Sequence, residues 1–175
     1  MYKDLGENQD KIAKHPMIRT IVTGQASDGM RESGIAIPSE GDLDSIEDPL
    51  ECASILDADS SQRQCIAAAK NGANLVIKGP PGTGKSQTIS NLIAELMASG
   101  KSVLFVSEKL AALDVVYSRL SKAGISDFVL RMHGSSSSRR EVVQALADSL
   151  SANPSAGRTM SNQNAGDLVR LRNEL

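Results

Sequence analysis

The sequence predicts an α/β fold, a parallel sheet with helices on both faces. Two observations carry the prediction. From Ile55 onward the pattern alternates in the order helix, strand, helix, strand, helix, strand, helix. Such alternation implies parallel strands joined by right-handed crossovers. The second observation is a glycine-rich octapeptide, Gly79-Pro80-Pro81-Gly82-Thr83-Gly84-Lys85-Ser86, set between the first apolar strand and the helix that follows it.

The elements follow in order. Residues 1–25 hold a weak helical pattern broken at His15-Pro16, and residues 26–50, rich in Gly, Ser, Asp, Glu and Pro, read as a linker or long loop. Ser60 or Ser61 caps a helix running through Asn71, with Gly72 just past its end. Residues 74–78 (NLVIK) are a short apolar strand, and a helix opens inside the octapeptide and runs to Ser99, where Gly100 terminates it. Residues 102–107 (SVLFVS) are a second buried strand. Residues 108–124 are a helix, because Leu110, Leu113, Val116, Tyr117 and Leu120 recur at spacings of three and four. Residues 127–132 (DFVLRM) are a third strand, and SSSRREVVQALADSL is a helix capped by Ser137 or Ser138 ahead of Glu141. After a polar stretch from Ala152 to Gly166, DLVRLRNEL resumes a helical pattern with Leu168, Leu171 and Leu175 on one face.

The totals bound what such a chain can be. Its 175 residues suit one domain, or one domain with poorly ordered ends. Hydrophobic residues make up 40% and aromatics 2%, with no Trp, so the core is aliphatic and the methionines are filler in it. The net charge of −2 and a pI of about 5.7 give no global positive field of the kind that announces nucleic-acid binding, although a local groove need not move the total. Cys52 and Cys65 show no CxxC and no matching His pair, which argues against a disulfide framework or a zinc site and for two ordinary thiols in a reducing compartment. The first residues lack an apolar signal core and no run approaches 18 apolar residues, so the expectation is a cytoplasmic protein with no membrane contact.

The octapeptide fits G-x-x-x-x-G-K-[ST] in full, the signature of a phosphate-binding P-loop. A loop that wraps a phosphate turns its backbone N–H groups inward, which requires positive φ or close approach; Gly79, Gly82 and Gly84 allow both. Pro80 and Pro81 stiffen its entry, and Thr83 lies within it. The helix beginning at the loop presents N-terminal N–H groups and the positive end of its dipole to the same anion. Lys85 reaches the β- and γ-phosphates and is the candidate catalytic residue. Ser86 offers a hydroxyl to Mg²⁺, and Gln87 follows among the nucleotide-contacting candidates. The ligand expected is ATP with Mg²⁺.

Hydrolysis needs a further carboxylate, normally an Asp at the end of another strand followed by Glu. No run of four apolar residues followed by Asp-Glu lies downstream of the loop. The nearest stretch, VLFVSE at residues 103–108, has Ser107 where the Asp would stand, and Glu108 reads better as the first-turn acid of the next helix.

These motifs in order, Gln62 after DADSS, the P-loop 17 residues later and then VLFVSEKLAALDVV, resemble the N-terminal part of a superfamily 1 helicase motor. The similarity runs from about Leu56 to Leu150 and is densest to bacterial helicase-related proteins with an AAA-type P-loop. The resemblance implies a RecA-like lobe. It implies that the Gln62 amide, which donates and accepts at once, reads the adenine edge. It also implies that Ser107 and Lys109, with Arg131 or His133 at the next strand end, lie toward single-stranded DNA or RNA. The family's Asp-Glu motif, its arginine-bearing motifs and its second lobe have no counterpart in these residues. The chain is therefore expected to be an incomplete motor: an N-terminal extension and linker at 1–54, a partial P-loop core at 55–152, and a polar linker with the start of a helical insertion at 153–175.

Two other classes stay open. A free-standing nucleotide-binding module without hydrolysis fits the missing carboxylate. A small-molecule P-loop kinase needs an arginine-bearing lid and an acceptor pocket, neither of which is evident. Arg139-Arg140 is read as a solvated face rather than a nucleic-acid patch, and Glu95 and Asp114 as exposed helix charges.

Overall fold

The computed structural model describes residues 2–24, 38–43, 48, 51–132, 139–151, 166–167 and 170–171. The chain divides into two compact units, Met1–Ala36 and Ile37–Leu175. The first carries helices α1 (Tyr2–Glu7), α2 (Gln9–Lys14) and α3 (Pro16–Thr23). The break expected at His15-Pro16 is the junction of α2 and α3, with His15 extended and Pro16 in the first turn, where its missing N–H costs nothing.

The second unit carries α4 (Ser60–Lys70), α5 (Lys85–Ala98), α6 (Leu110–Lys122) and α7 (Arg139–Ser151), with single-turn helices at Glu40–Asp42 and Ser126–Phe128. Each long helix lies within two residues of its sequence-predicted bounds. Gly72, Gly100 and Gly124 stand past the ends of α4, α5 and α6 with positive φ, as terminators should. Helix α5 packs against both α4 and α6. Ile93, Val116 and Leu120 form the centre of the core, flanked by Ile55, Ile89, Met97, Phe105, Ile125 and Val129. Leu43, inside the stretch read as a linker, is only 1% exposed.

The predicted parallel sheet is overturned: no strand occurs among the described residues, and the α/β, RecA-like reading of the fold fails there. Residues 74–78 and 102–107 run without a ladder, and 127–132 begins inside the Ser126–Phe128 turn. A strand exists only through backbone bonds to a neighbour, and no such bond joins these segments. An apolar run records a preference for a half-buried surface, not a pairing. Val76 and Leu104 are accordingly 85% and 88% exposed, although both were expected inside. Phe105 and Val129 do reach the core against α5 and α6, lining an open apolar groove of about 990 Å³. No helix among the described residues is long and apolar enough to cross a membrane.

Candidate nucleotide site

The loop between Lys78 and α5 has the geometry its glycines require. Gly84 caps α5 in the left-handed region at φ 75°, where any other residue is strained. Gly79 serves by close approach: a Cβ there would sit 2.5 Å from Thr83 Oγ1. That hydroxyl donates to the Pro80 carbonyl at 2.9 Å. The Lys85 ammonium folds back into the loop, donating to the carbonyls of Gly79 and, at 2.6 Å, Pro80. Gln87 and Thr88 donate their N–H groups to the Gly84 carbonyl at 2.7 and 2.9 Å. The first-turn N–H groups of Lys85 and Ser86 have no helical acceptor, and together with the helix dipole they suit an anion.

Gln62 reaches this loop from α4. Asp59, rather than Ser60 or Ser61, is the N-cap of that helix: its Oδ1 accepts from the Gln62 N–H at 2.8 Å and from the Ser61 hydroxyl at 2.7 Å. The Ser61 hydroxyl first, and then the Gln62 N–H, hold the Asp59 carboxyl below its usual range. One turn on, Gln62 Nε2 donates to the Thr83 carbonyl at 3.3 Å and lies against Gly84. Gln62 Oε1 is buried and has no hydrogen-bond partner. An orphaned buried acceptor is uncommon and calls for a donor.

Sequence reasoning missed the residues that hold this arrangement together. Helix α5 carries Gln87, Asn91 and Glu95 at spacings of four, one above the other on one face. Asn91 is 0% exposed; its Oδ1 accepts from the N–H groups of Ile55 and Leu56 at 3.1 and 2.9 Å, and its Nδ2 donates to the Leu56 carbonyl at 2.8 Å. Gln87 Nε2 donates to the Asp57 carbonyl. Glu95 is not the exposed charge that the sequence suggested but is 2% exposed. Its Oε1 accepts from the Ala53 N–H at 2.9 Å, the Ser54 hydroxyl at 3.0 Å and the Cys52 thiol at 3.4 Å, and its Oε2 pairs with Lys70 Nζ at 2.8 Å. The signal that could have found them is the repeat of polar side chains every four residues beside Ile89, Ile93 and Met97 in a helix otherwise suited to a core.

Burial alone would raise the Glu95 pKa, but hydrogen bonds from Lys70 and Ser54, the Lys70 charge and the Cys52 thiol outweigh it and hold the carboxyl below its ordinary value of 4.5. A carboxyl whose folded pKa is depressed contributes stability that is fully present above the unfolded pKa and is lost as pH falls through the folded one. Urea unfolding followed from pH 7 to pH 3 is therefore expected to show stability falling below about pH 4.5. In Glu95→Gln that part of the acid dependence is absent; an unchanged acid limb in the variant would sink this assignment.

The remaining candidates lie apart from the loop's contacts. The half-buried Ser107 accepts the Lys109 N–H and donates to the Lys109 carbonyl, both at 3.3 Å, so it organises the turn into α6. Lys109 and Glu108 are exposed. Arg131 pairs with Asp114 at 2.6 Å and stacks over the Tyr117 ring at 4.3 Å. Arg139 and Arg140 are exposed in the first turn of α7, and His133 falls outside the described residues. No group of three or more His, Cys, Asp or Glu that could hold a metal ion occurs among the described residues.

Comparison with known proteins bears on this geometry. Residues 57–174 match the model of a family described as an AAA domain. A 47-residue stretch, 27% of the chain, is 64% identical to an uncharacterized ATP-dependent helicase, MG140, of Mycoplasma genitalium. A 62-residue stretch, 35% of the chain, is 53% identical to the MG140 homolog of Mycoplasma pneumoniae. The matched stretches span 4% and 6% of those relatives' own length. No solved structure gives a significant match.

Proposed function

The chain belongs to the AAA domain family, and on that premise we propose that it is the ATP-binding piece of a helicase-type motor. The resemblance carried by Gln62, the P-loop and residues 103–116 is borne out as that of a helicase-like P-loop ATPase. The observation that carries the proposal is Gln62 held at the loop with a buried, unpartnered Oε1. Adenine offers an amino donor beside an acceptor nitrogen, and a glutamine amide can meet both at once. Guanine offers two acceptors on that edge, so its oxygen would face Oε1 and repel it.

In this reading the backbone N–H groups at the start of α5 and the Lys85 ammonium take the phosphates. Lys85 leaves its two carbonyl acceptors to do so, both of which lie within the loop. Mg²⁺, where bound, supplies charge neutralisation at the phosphates, and Ser86 offers it a hydroxyl oxygen. Thr83 keeps the loop closed through Pro80. In the full-length protein, ATP turnover would drive movement along single-stranded DNA or RNA, with Ser107 and Lys109 toward the strand and a second motor lobe completing the site. Binding without turnover is the reading for the chain by itself, since no carboxylate is hydrogen-bonded to the loop among the described residues.

The test is Gln62→Ala assayed for ATP and GTP binding with Mg²⁺. Preference for ATP should fall about tenfold or more while triphosphate affinity is largely kept. Equal losses for both nucleotides would count against the adenine contact and, with it, the helicase reading.

A further inference from the structure

We infer that Gln87, Asn91 and Glu95 form a ladder on α5 that positions Gln62 and thereby sets the base selectivity of the site. The inference rests on the reading of Gln62 as the adenine contact. Residues 52–57 have no strand partner and no helix of their own. Their polar groups instead bond to side chains of α5: Glu95 accepts from the Cys52 thiol, the Ala53 N–H and the Ser54 hydroxyl, Asn91 accepts from the Ile55 and Leu56 N–H groups and donates to the Leu56 carbonyl, and Gln87 donates to the Asp57 carbonyl. The segment therefore runs antiparallel to α5 and arrives at the phosphate-loop end of that helix.

The lengths agree. Eight residues of helix from Gln87 to Glu95 rise about 12 Å. Four residues from Ala53 to Asp57 can reach at most about 13 Å, and the chain bends at Ile55 and Leu56 on the way. Each rung can therefore meet its partner without stretching either element. Two residues beyond the last rung stands Asp59, the cap of α4, and three beyond that is Gln62. The helix that carries the phosphate loop thus also fixes the start of the helix that carries Gln62. A shift of the segment along α5 would move the Gln62 amide relative to Thr83 and Gly84. Lys70, at the far end of α4, closes the frame on Glu95. Asn91 and Glu95 touch neither the loop nor the phosphate position, so they are positioning residues.

The experiment measures binding of ATP, GTP and inorganic tripolyphosphate to the whole chain, to Asn91→Ala, to Gln62→Ala and to the double variant. In Asn91→Ala the ATP-to-GTP preference is expected to fall about tenfold, with tripolyphosphate affinity held within about twofold. In the Gln62→Ala background the same change should add nothing to the preference, because the two act through one contact. If Asn91→Ala does not fold, Glu95→Gln, which preserves side-chain shape, decides by the same criteria, with about a threefold loss expected. A folded variant that keeps the preference, or equal losses for all three ligands, overturns the ladder as a positioning device. A parent chain that binds ATP and GTP equally overturns the adenine reading itself, a failure visible before any variant is made.

Discussion

Lys85→Ala is expected to lower ATP affinity about 100- to 1,000-fold, from the loss of two charge-assisted bonds to phosphate. Isothermal titration with Mg²⁺ checks it. The folded chain should hardly notice the change. Lys85 is exposed, and its two acceptors, the Gly79 and Pro80 carbonyls, belong to a loop that water can reach. The thermal midpoint should therefore stay within about 2 °C of the parent's. A large drop in affinity with no drop in stability separates a ligand-binding lysine from one that merely holds the loop. If ATP binding survives, the phosphates sit elsewhere and the site is misassigned. If the midpoint collapses, Lys85 is a structural strut.

Glu95→Ala is expected to be the most destabilising change in the second unit, at about 2–4 kcal/mol in urea unfolding. The carboxylate lies 2% exposed and serves the Ala53 N–H, the Ser54 hydroxyl and the Lys70 ammonium. Alanine takes this acceptor from the Ala53 N–H and the Ser54 hydroxyl, removes the carboxylate that pairs with Lys70 and opens a cavity. The Lys70 side chain is 30% exposed and can turn its charge partly to water, so the loss falls below that of a wholly buried pair. Against a domain stability of about 5–15 kcal/mol the change is large enough to threaten folding at 37 °C. A double variant, Glu95→Leu with Lys70→Met, should recover part of the loss, since replacing both members of a largely buried ion pair by apolar side chains costs less than removing one. A loss under about 0.5 kcal/mol for Glu95→Ala would place this carboxylate among ordinary surface charges.

The contrast between those two residues shows where sequence reading succeeds. Lys85 could be singled out because its neighbours are fixed by the chain itself: the glycines, the threonine and the helix start all lie within seven residues of it. A local motif carries its own geometry. Glu95 was harder to single out, because its partners stand 25 to 43 residues away, and the four-residue polar repeat that marks it does not name them. Gln62 lies between the cases. Its place before the loop was legible through the family resemblance, but its contact with Thr83 and its unpartnered Oε1 required the packing of α4 on α5.

The helices were legible for the same local reason. Their apolar spacing, their terminal glycines and the broken pattern at Pro16 are properties of single segments, and each long helix formed where they placed it. The strands were not. Residues 74–78, 102–107 and 127–132 have the composition of strands, yet pairing depends on a neighbour brought from elsewhere in the chain, and among the described residues none is. The sequence by itself determined the glycine-rich loop, its left-handed Gly84 and the helix that begins there, because hydrogen bonds and backbone angles within a few residues are enough for these. The tertiary structure alone decided that backbone groups of Ala53, Ile55, Leu56 and Asp57 are bonded by side chains of α5 and that Gln62 meets the loop. Those bonds form only when segments 21 or more residues apart are packed together.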